Sequence, residues 1–330
     1  MPENNRVDWR TIIRRIKSGK LTPIISDRIY FPGSNTLIRD WAGEIEYPYP
    51  VGRNTTIPQL AQFLSATSRD DLTAKEDFLD FSKQYLLKTV REHATPEQEN
   101  FLDTLEDELY DISYSQAAER ANFPKYAEES ENPLRILAEL PIPIYITTSY
   151  YNFLEKALKE AGKEPRTEIC YWYDELDDVP SIFEADPDFQ PSNEEPLVFH
   201  LQGLDEYASS LVLTEDDYLD LLVKVSEDIE AIPRRVAQAL VDSSLCLLGF
   251  RLDDWNFKVI FRGLIKSKRD SRRRLSLSIQ FQPSKTIKEE DVDPKDIENY
   301  LERYFDKANF DIYWGDALNF LQELWENWES

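Results

Sequence analysis

The chain has 330 residues, of which 41% are hydrophobic and 31% charged, and its formal net charge is -25 at pH 7. A chain of this length and composition can bury a full core, as one large domain or two smaller ones. The negative charge argues against direct nucleic-acid binding, because nucleic-acid phosphates would be repelled, and against adhesion to an anionic membrane. We interpret the acidity mainly as a source of solubility.

Metal, disulfide and targeting signals are weak. The sequence has two cysteines, Cys170 and Cys246, and two histidines, His93 and His200. These are too few for a disulfide framework or for a common zinc ligand set, so we expect no zinc. Arginines interrupt the first 15 residues, and no apolar run approaches the ~18 residues of a membrane span. We therefore expect a cytoplasmic protein without a signal peptide.

The N-terminal third is predicted to be mostly helical. Apolar residues recur on one helical face over residues 7–17, and residues 21–25 form a short buried strand. Ser34 is placed to cap the next helix. Asp70 and Asp71 begin a long amphipathic helix, and another helix is predicted over residues 96–110. We interpret residues 56–120 as a helical module inserted after the first strand.

Later in the chain, short apolar strands alternate with helical patterns. This alternation predicts a Rossmann-like α/β fold with a mostly parallel sheet and helices on both faces, formed by residues 1–55 and 121–330. The acidic, proline-rich residues 174–196 are predicted to be a solvated loop. Strands are predicted at 144–146, 168–173, 197–201, 245–249, 275–281 and 310–313. Helices are predicted at 151–161, from 214, and at 232–241, 253–266, 294–305 and 316–328.

Ligands of such folds bind beyond the carboxyl ends of the strands, where the strand order reverses. Four loops after predicted strands are therefore the candidate site. Their candidate ligand-binding residues are Ser26, Asp27 and Arg28, then Thr148 and Ser149, then Gln202, then Gly249, Phe250 and Asp253.

These loops, in this order, resemble the bacterial SIR2-like family, the sirtuin-related domains associated with NAD hydrolysis and anti-phage defence. The resemblance extends from Trp9 to Trp325 and is strongest in Leu213-Thr214-Glu215-Asp216-Asp217-Tyr218, in residues 249–257 and in Ile312-Tyr313-Trp314-Gly315. It implies a Rossmann-type pocket for NAD or ADP-ribose, with a smaller helical module. Sirtuin deacetylases also have a four-cysteine zinc module, which two cysteines cannot form.

The first loop departs from the family pattern. The family has Gly-Ala-Gly where this chain has Ser26-Asp27-Arg28. Glycines let backbone amides approach a pyrophosphate, whereas side chains obstruct that approach and the Asp27 carboxylate would repel phosphate. Arg28 could compensate by pairing with the phosphate or with Asp27.

The second and third loops also depart from the pattern. Ser149 takes the place of the family's asparagine, and Gln202 takes the place of the histidine that the family uses as general base. A carboxamide cannot accept a proton near neutral pH. His200 lies two residues earlier, and we favour a packed histidine there over a substitute base.

The fourth loop retains Gly249, which permits a close backbone approach to a ligand. Asp253 could hold a ribose hydroxyl or could cap the helix that begins near Trp255, and the sequence leaves both open. The basic residues Lys266, Lys268, Arg269, Arg272, Arg273 and Arg274 could meet an acidic partner or a polyphosphate, although a solvated connection is the favoured interpretation.

Because no catalytic position of the family is intact, the sequence favours a catalytically degenerate protein that binds a nucleotide or a protein partner. The alternative is a divergent NAD glycohydrolase that uses His200 or a carboxylate such as Asp27 as base. A third hypothesis is an adaptor or a homo-oligomer whose pocket is filled by its own side chains.

Overall fold

The structure is a computed structural model. It describes residues 7–29, 35–52, 55–68, 70–126, 132–173, 176, 179–227, 231–250, 255–266, 276–280, 294–307 and 310–329. Among these residues, no helix combines the length and the apolar character that crossing a membrane requires. Ser34, Asp253 and residues 268–274, which the sequence singles out, lie outside the described residues.

Within the described residues, seven short strands form one sheet in the order β3-β4-β2-β1-β5-β6-β7, and every neighbouring pair is parallel. The predicted Rossmann-like parallel sheet is therefore confirmed. The strands are β1 (Leu21–Ile25), β2 (Ile144–Thr147), β3 (Arg166–Ile169), β4 (Leu197–His200), β5 (Ser244–Leu248), β6 (Leu277–Gln280) and β7 (Asp311–Trp314).

The central strands are buried on both faces because helices cover each side of the sheet. All five residues of β1 and all five of β5 are buried, which explains why these strands are nearly continuous apolar runs. Successive side chains point to opposite faces. Ile24 and Leu247 join the core under one helical layer, whereas Ile25 and Leu248 join the core under the other.

In the part of the chain that the structure describes, six α-helices lie between β1 and β2. The longest of them, Asp71–Arg91, begins where the sequence predicts, since Asp70 Oδ1 accepts the backbone N–H of Thr73 at 2.9 Å. The module boundaries at 56 and 120 stay a prediction. These helices are α2 (Asn35–Glu44), α3 (Ile57–Thr67), α4 (Asp71–Arg91), α5 (Pro96–Asp107), α6 (Tyr114–Arg120) and α7 (Pro133–Glu139).

The remaining helices precede β1 or follow β2 and cover the two faces of the sheet. They are α1 (Trp9–Lys17), α8 (Phe153–Glu160), α9 (Ile182–Ala185), α10 (Glu215–Glu227), α11 (Arg234–Asp242), α12 (Trp255–Val259), α13 (Pro294–Asp306) and α14 (Ala317–Glu329).

Three predicted elements differ from the structure. The strand predicted at 168–173 ends at Ile169. The predicted loop at 174–196 contains the short helix α9, because Ser181 Oγ accepts the N–H of Phe183 and the Glu168 carboxylate accepts the N–H of Ile182. The helix predicted at 253–266 changes after α12 into a π-helix, Ile260–Lys266.

Candidate active site at the carboxyl edge of the sheet

The strand order reverses beside β1, which lies between β2 and β5. The loops that follow neighbouring strands begin in register. The Ser26 N–H donates to the Leu248 carbonyl at 3.0 Å, and the Thr148 N–H donates to the Ile25 carbonyl at 2.9 Å. The Leu201 N–H extends this pattern by donating to the neighbouring β2 carbonyl at 2.9 Å. The four predicted loops therefore leave the same edge of the sheet at the switch point.

The first and fourth loops pack against each other through Gly249. This residue has a φ of +81°, and a Cβ on it would lie 3.2 Å from Ile29 Cγ2 and 3.4 Å from Ser26 Cβ. The glycine thus allows both a left-handed backbone and a close approach between the loops. Phe250, which the sequence proposes as a ligand contact, is 3% exposed and packs into the hydrophobic core below the sheet edge.

The first loop forms a 3₁₀ turn, Asp27–Ile29, that places a carboxylate at the switch point. The Ser26 hydroxyl donates to Asp27 Oδ1 at 3.0 Å and accepts a long hydrogen bond from the Arg28 N–H at 3.4 Å. Burial raises the pKa of Asp27 above its ordinary value, and the Ser26 hydroxyl and the Arg28 charge oppose that shift. Asp27 is half-buried, whereas Arg28 is exposed.

The second loop contains two buried hydroxyl groups with different roles. Ser149, at the family's asparagine position, uses its hydroxyl within the turn, accepting the Tyr151 N–H at 3.1 Å. The hydroxyl of Thr148 is buried and has no hydrogen-bond partner within the described part of the chain. A buried hydroxyl without a partner is costly unless a ligand or a water satisfies it. Thr148, rather than Ser149, therefore has the buried hydroxyl whose hydrogen-bonding capacity is not used within the described residues.

The third loop encloses Gln202, which is fully buried. The Tyr218 hydroxyl lies 3.5 Å from Gln202 Oε1, at the limit of a hydrogen bond. Gly203 has a φ of +87°, and a Cβ on it would lie 2.2 Å from the carbonyl oxygen of Ser210. This loop is therefore packed against the segment that leads into α10.

Tyr150 and Tyr218, which the sequence analysis did not propose as ligand contacts, belong to this site. Tyr150 donates to the Val212 carbonyl at 2.7 Å. Burial raises the pKa of Tyr150 well above its ordinary value, and Tyr218 and the Asp27 charge raise it further. Tyr150 thus lies near both the first loop and Tyr218. The signal in the sequence that could have identified Tyr150 is the aromatic pair Tyr150-Tyr151, which follows the buried strand β2 by two residues.

The helices between β1 and β2 cover this edge of the sheet. On α4, Lys75 is 5% exposed, and its Nζ lies 3.3 Å from Asp217 Oδ1 and 4.9 Å from the centre of the Trp172 ring. Burial lowers the pKa of Lys75, and Asp217 opposes that shift. On α3, Gln62 donates to Asp216 Oδ2 at 2.8 Å and accepts the N–H of Asp216 at 3.0 Å. Both helices are therefore bound to the start of α10.

No group of three or more histidine, cysteine, aspartate or glutamate side chains in the described ranges is arranged to hold a metal ion. Cys170 and Cys246 are both buried thiols outside any disulfide. Burial raises the pKa of Cys246 far above its ordinary value, so this thiol is unreactive.

A parallel sheet with helices on both faces and four loops converging at its switch point defines a Rossmann-like α/β protein. A family model described as SIR2-like domain matches residues 143–308, which is half of the chain. The chain therefore belongs to the SIR2-like domain family, and the resemblance stated from its loops is confirmed.

Three curated relatives have the same name, NAD(+) hydrolase ThsA. The protein of Enterococcus faecium is 30% identical over 177 residues, and that of Bacillus cereus is 29% identical over 177 residues. Each alignment covers 53% of this chain and 32% of the relative. The protein of Cytobacillus dafuensis is 34% identical over 139 residues, covering 42% of this chain and 24% of the relative. The matched segments thus span a third or less of these relatives.

The relatives correct one prediction from the sequence. The substitutions at Ser149 and Gln202 favoured a catalytically degenerate protein, but the similar proteins are named as NAD(+) hydrolases. The prediction of a catalytically degenerate protein was therefore wrong, and these relatives favour the alternative, a divergent NAD glycohydrolase with His200 or a carboxylate such as Asp27 as base.

Proposed function

We propose that this protein hydrolyses NAD+ to ADP-ribose and nicotinamide, and that Asp27 is the catalytic carboxylate. The observation that carries the proposal is the similarity to NAD(+) hydrolases over 53% of the chain. The parallel sheet supports it, since nucleotides bind such folds at the carboxyl edge near the switch point.

The reaction breaks the bond between ribose C1′ and the nicotinamide nitrogen, whose ring takes the bonding electrons. A water oxygen forms the new bond to C1′, and that water loses a proton. A carboxylate beside C1′ can stabilise the positive charge that develops on the ribose and can accept the proton. The raised pKa of Asp27 suits it to proton transfer nearer to neutral pH than an ordinary aspartate.

Other residues of the edge would bind rather than react. The Thr148 hydroxyl, which lacks a partner in the described residues, would donate to or accept from a ribose hydroxyl. Arg28 is exposed and would pair with the pyrophosphate. Ser26 would hold the Asp27 carboxylate through its 3.0 Å hydrogen bond. Gln202 would contact the substrate without exchanging a proton, since a carboxamide does not titrate.

The test is NAD+ consumption by the purified protein, the Asp27→Asn variant and an Asp188→Asn control, whose side chain is exposed. We expect wild type and Asp188→Asn to release nicotinamide at equal rates, and Asp27→Asn to be slower by about 10²–10⁴-fold. A wild-type protein that leaves NAD+ intact would show that the proposed function is wrong. If the Asp27→Asn variant hydrolysed NAD+ at the wild-type rate, the proposed function would stand, but Asp27 would not be the base.

The role in anti-phage defence that the family resemblance implies is a proposal about the whole protein. The matched region is 32% of the first two relatives, so their activity as whole proteins is carried over here only as a proposal. Depletion of cellular NAD+ on infection, absent in cells with the Asp27→Asn variant, would support this role. A protein partner and a homo-oligomer both stay predictions.

A further inference from the structure

His200 is the last residue of β4 and is fully buried beside the second loop. Its Nδ1 lies 2.8 Å from the carbonyl oxygen of Ser149, and its Nε2 lies 2.8 Å from Oε1 of Glu155. Both ring nitrogens therefore have partners inside the protein. A general base needs a nitrogen within reach of the reacting water, so this geometry does not suit His200 to that role.

The positions of the hydrogens on the His200 ring follow from the atoms that its two nitrogens contact. A carbonyl oxygen only accepts, so Nδ1 carries a hydrogen and donates it to Ser149. One further proton lies between Nε2 and Glu155, either on an imidazolium that donates to a carboxylate or on a carboxylic acid that donates to a neutral ring. Burial lowers the pKa of His200, but Glu155, the Ser149 carbonyl and Asp205 together outweigh that effect and raise it. In both forms the pair has no net charge, so burying it costs less free energy than burying a single charge.

Glu155 holds the ring in this orientation from the first turn of α8. Its Oε1 also accepts the hydroxyl of Thr167 at 2.9 Å, which fixes the carboxylate against β3. Its side chain is 5% exposed. A carboxylate that orients an imidazole through one nitrogen determines which atom the other nitrogen can reach. Here that atom is the Ser149 carbonyl oxygen.

The same loop is held from the other side by a helix of the covering layer. The Asp205 N–H donates to the Tyr150 carbonyl at 2.8 Å, and the Asn152 N–H donates to the Ser115 hydroxyl at 3.1 Å. The loop after β2 is therefore anchored by α6 and by the loop after β4 as well as by His200. His200 supplies the contact at Ser149, directly after Thr148, whose own backbone N–H donates to Ile25 at the end of β1.

We propose that His200 is a positioning residue, which holds the Ser149 carbonyl, and with it Thr148, in register with the first loop, while Glu155 orients the imidazole. This inference rests on the proposed function, because the loop it positions is the one that would bind the ribose. The sequence offered two interpretations of His200, a packed side chain or a base, and the contacts with Ser149 and Glu155 support a third.

Two substitutions separate the two contacts of the ring. In His200→Asn the carboxamide nitrogen takes the place of Nδ1 and can still donate to Ser149. In His200→Gln the amide takes the place of Nε2 and can reach Glu155 but not Ser149. We expect His200→Asn to keep the wild-type kcat to within a few-fold. We expect His200→Gln to lose about 10²-fold in kcat with little change in KM, because a misplaced group costs about that much.

Hydrogen exchange of residues 149–152 measures the positioning independently of activity. We expect wild type and His200→Asn to exchange these amides equally slowly and His200→Gln to exchange them faster. If His200 were a general base, both variants would lose activity to the same extent. If His200 were purely structural, both variants would have a lower Tm and an unchanged kcat. Equal exchange rates and equal kcat values in the two variants would overturn the inference.

Glu155→Gln provides a second test if either His200 variant fails to fold. Its amide can donate to a neutral Nε2, so the hydrogen bond from Nδ1 to Ser149 should persist, with slow exchange at residues 149–152. Glu155→Ala, which removes the carboxylate, should instead give fast exchange there, and slow exchange in a folded Glu155→Ala protein would contradict the orienting role. If the wild-type protein leaves NAD+ intact, the proposed function fails, and the exchange measurements still decide the positioning.

Discussion

The carboxylate of Asp205 accepts two hydrogen bonds from Ser115, one from the backbone N–H at 2.6 Å and one from the hydroxyl at 2.9 Å. Ser115 lies in α6, among the helices between β1 and β2, whereas Asp205 follows β4. The covering helices are thus joined to the sheet edge through a buried carboxylate. Burial raises the pKa of Asp205 to about 6, although the two hydrogen bonds from Ser115 oppose that shift.

This raised pKa predicts a specific pH dependence of stability. The folded protein keeps the Asp205 proton up to about pH 6, whereas the unfolded chain releases it near the ordinary value of 3.8. Between these values the folded state binds more protons, so this group's contribution to stability falls as pH rises. We expect Asp205→Asn to remove that decline, which amounts to about 3 kcal/mol at most.

Urea unfolding at intervals from pH 4 to pH 6.5 measures this effect. Asp188→Asn is the control, because Asp188 is exposed and should leave the wild-type slope in place. An Asp205→Asn protein whose stability has the same pH slope as the wild type would refute the prediction. Asp205→Asn should also lower stability by about 1–3 kcal/mol at pH 6.5, since its amide would face a Ser115 donor.

Gly249→Ala should impair both stability and NAD+ hydrolysis. The matched control is Gly162→Ala, because Gly162 has a similar φ of +77° and a Cβ there would have no neighbour within 4 Å. The control should lose about 1–2 kcal/mol from the left-handed backbone alone and keep its activity. Gly249→Ala should lose more, since its Cβ would press on Ile29 and Ser26 and displace the first loop. Equal Tm values for the two variants would contradict a role for Gly249 in loop packing.

Lys75→Met should weaken the attachment of α4 to α10. The substitution leaves Asp217 buried without its cation, and removing one partner of a buried ion pair costs about 3 kcal/mol or more. Lys88→Met is the control, because Lys88 pairs with Asp40 at 2.9 Å on the surface, where 62% of the lysine side chain is exposed. Its effect on Tm should be small, since solvent screens the pair. A Tm of Lys75→Met as close to wild type as that of the control would show that Lys75 does not anchor α4.

Much of the fold could be predicted because its signals are local. The buried runs at β1 and β5 and the cap at Asp70 act over a few residues, so apolar periodicity and side-chain capping reveal them. The strand predicted to reach residue 173 ended at Ile169, because its neighbour β4 ends at His200 and leaves no further partner strand. Strand ends depend on the partner strand, which the local sequence does not specify.

The sequence by itself determined the class of fold, the four loops at the sheet edge and the departure from the family pattern at Ser149 and Gln202. Only the tertiary structure decided which polar groups at that edge are buried and which have partners. The proposed roles of Asp27, Thr148 and His200 depend on this burial and on partners that are distant in the sequence, such as Glu155 for His200. Burial and long-range pairing set the pKa of each polar group and decide whether its hydrogen-bonding capacity is used. The local spacing of residues specifies neither burial nor long-range pairing.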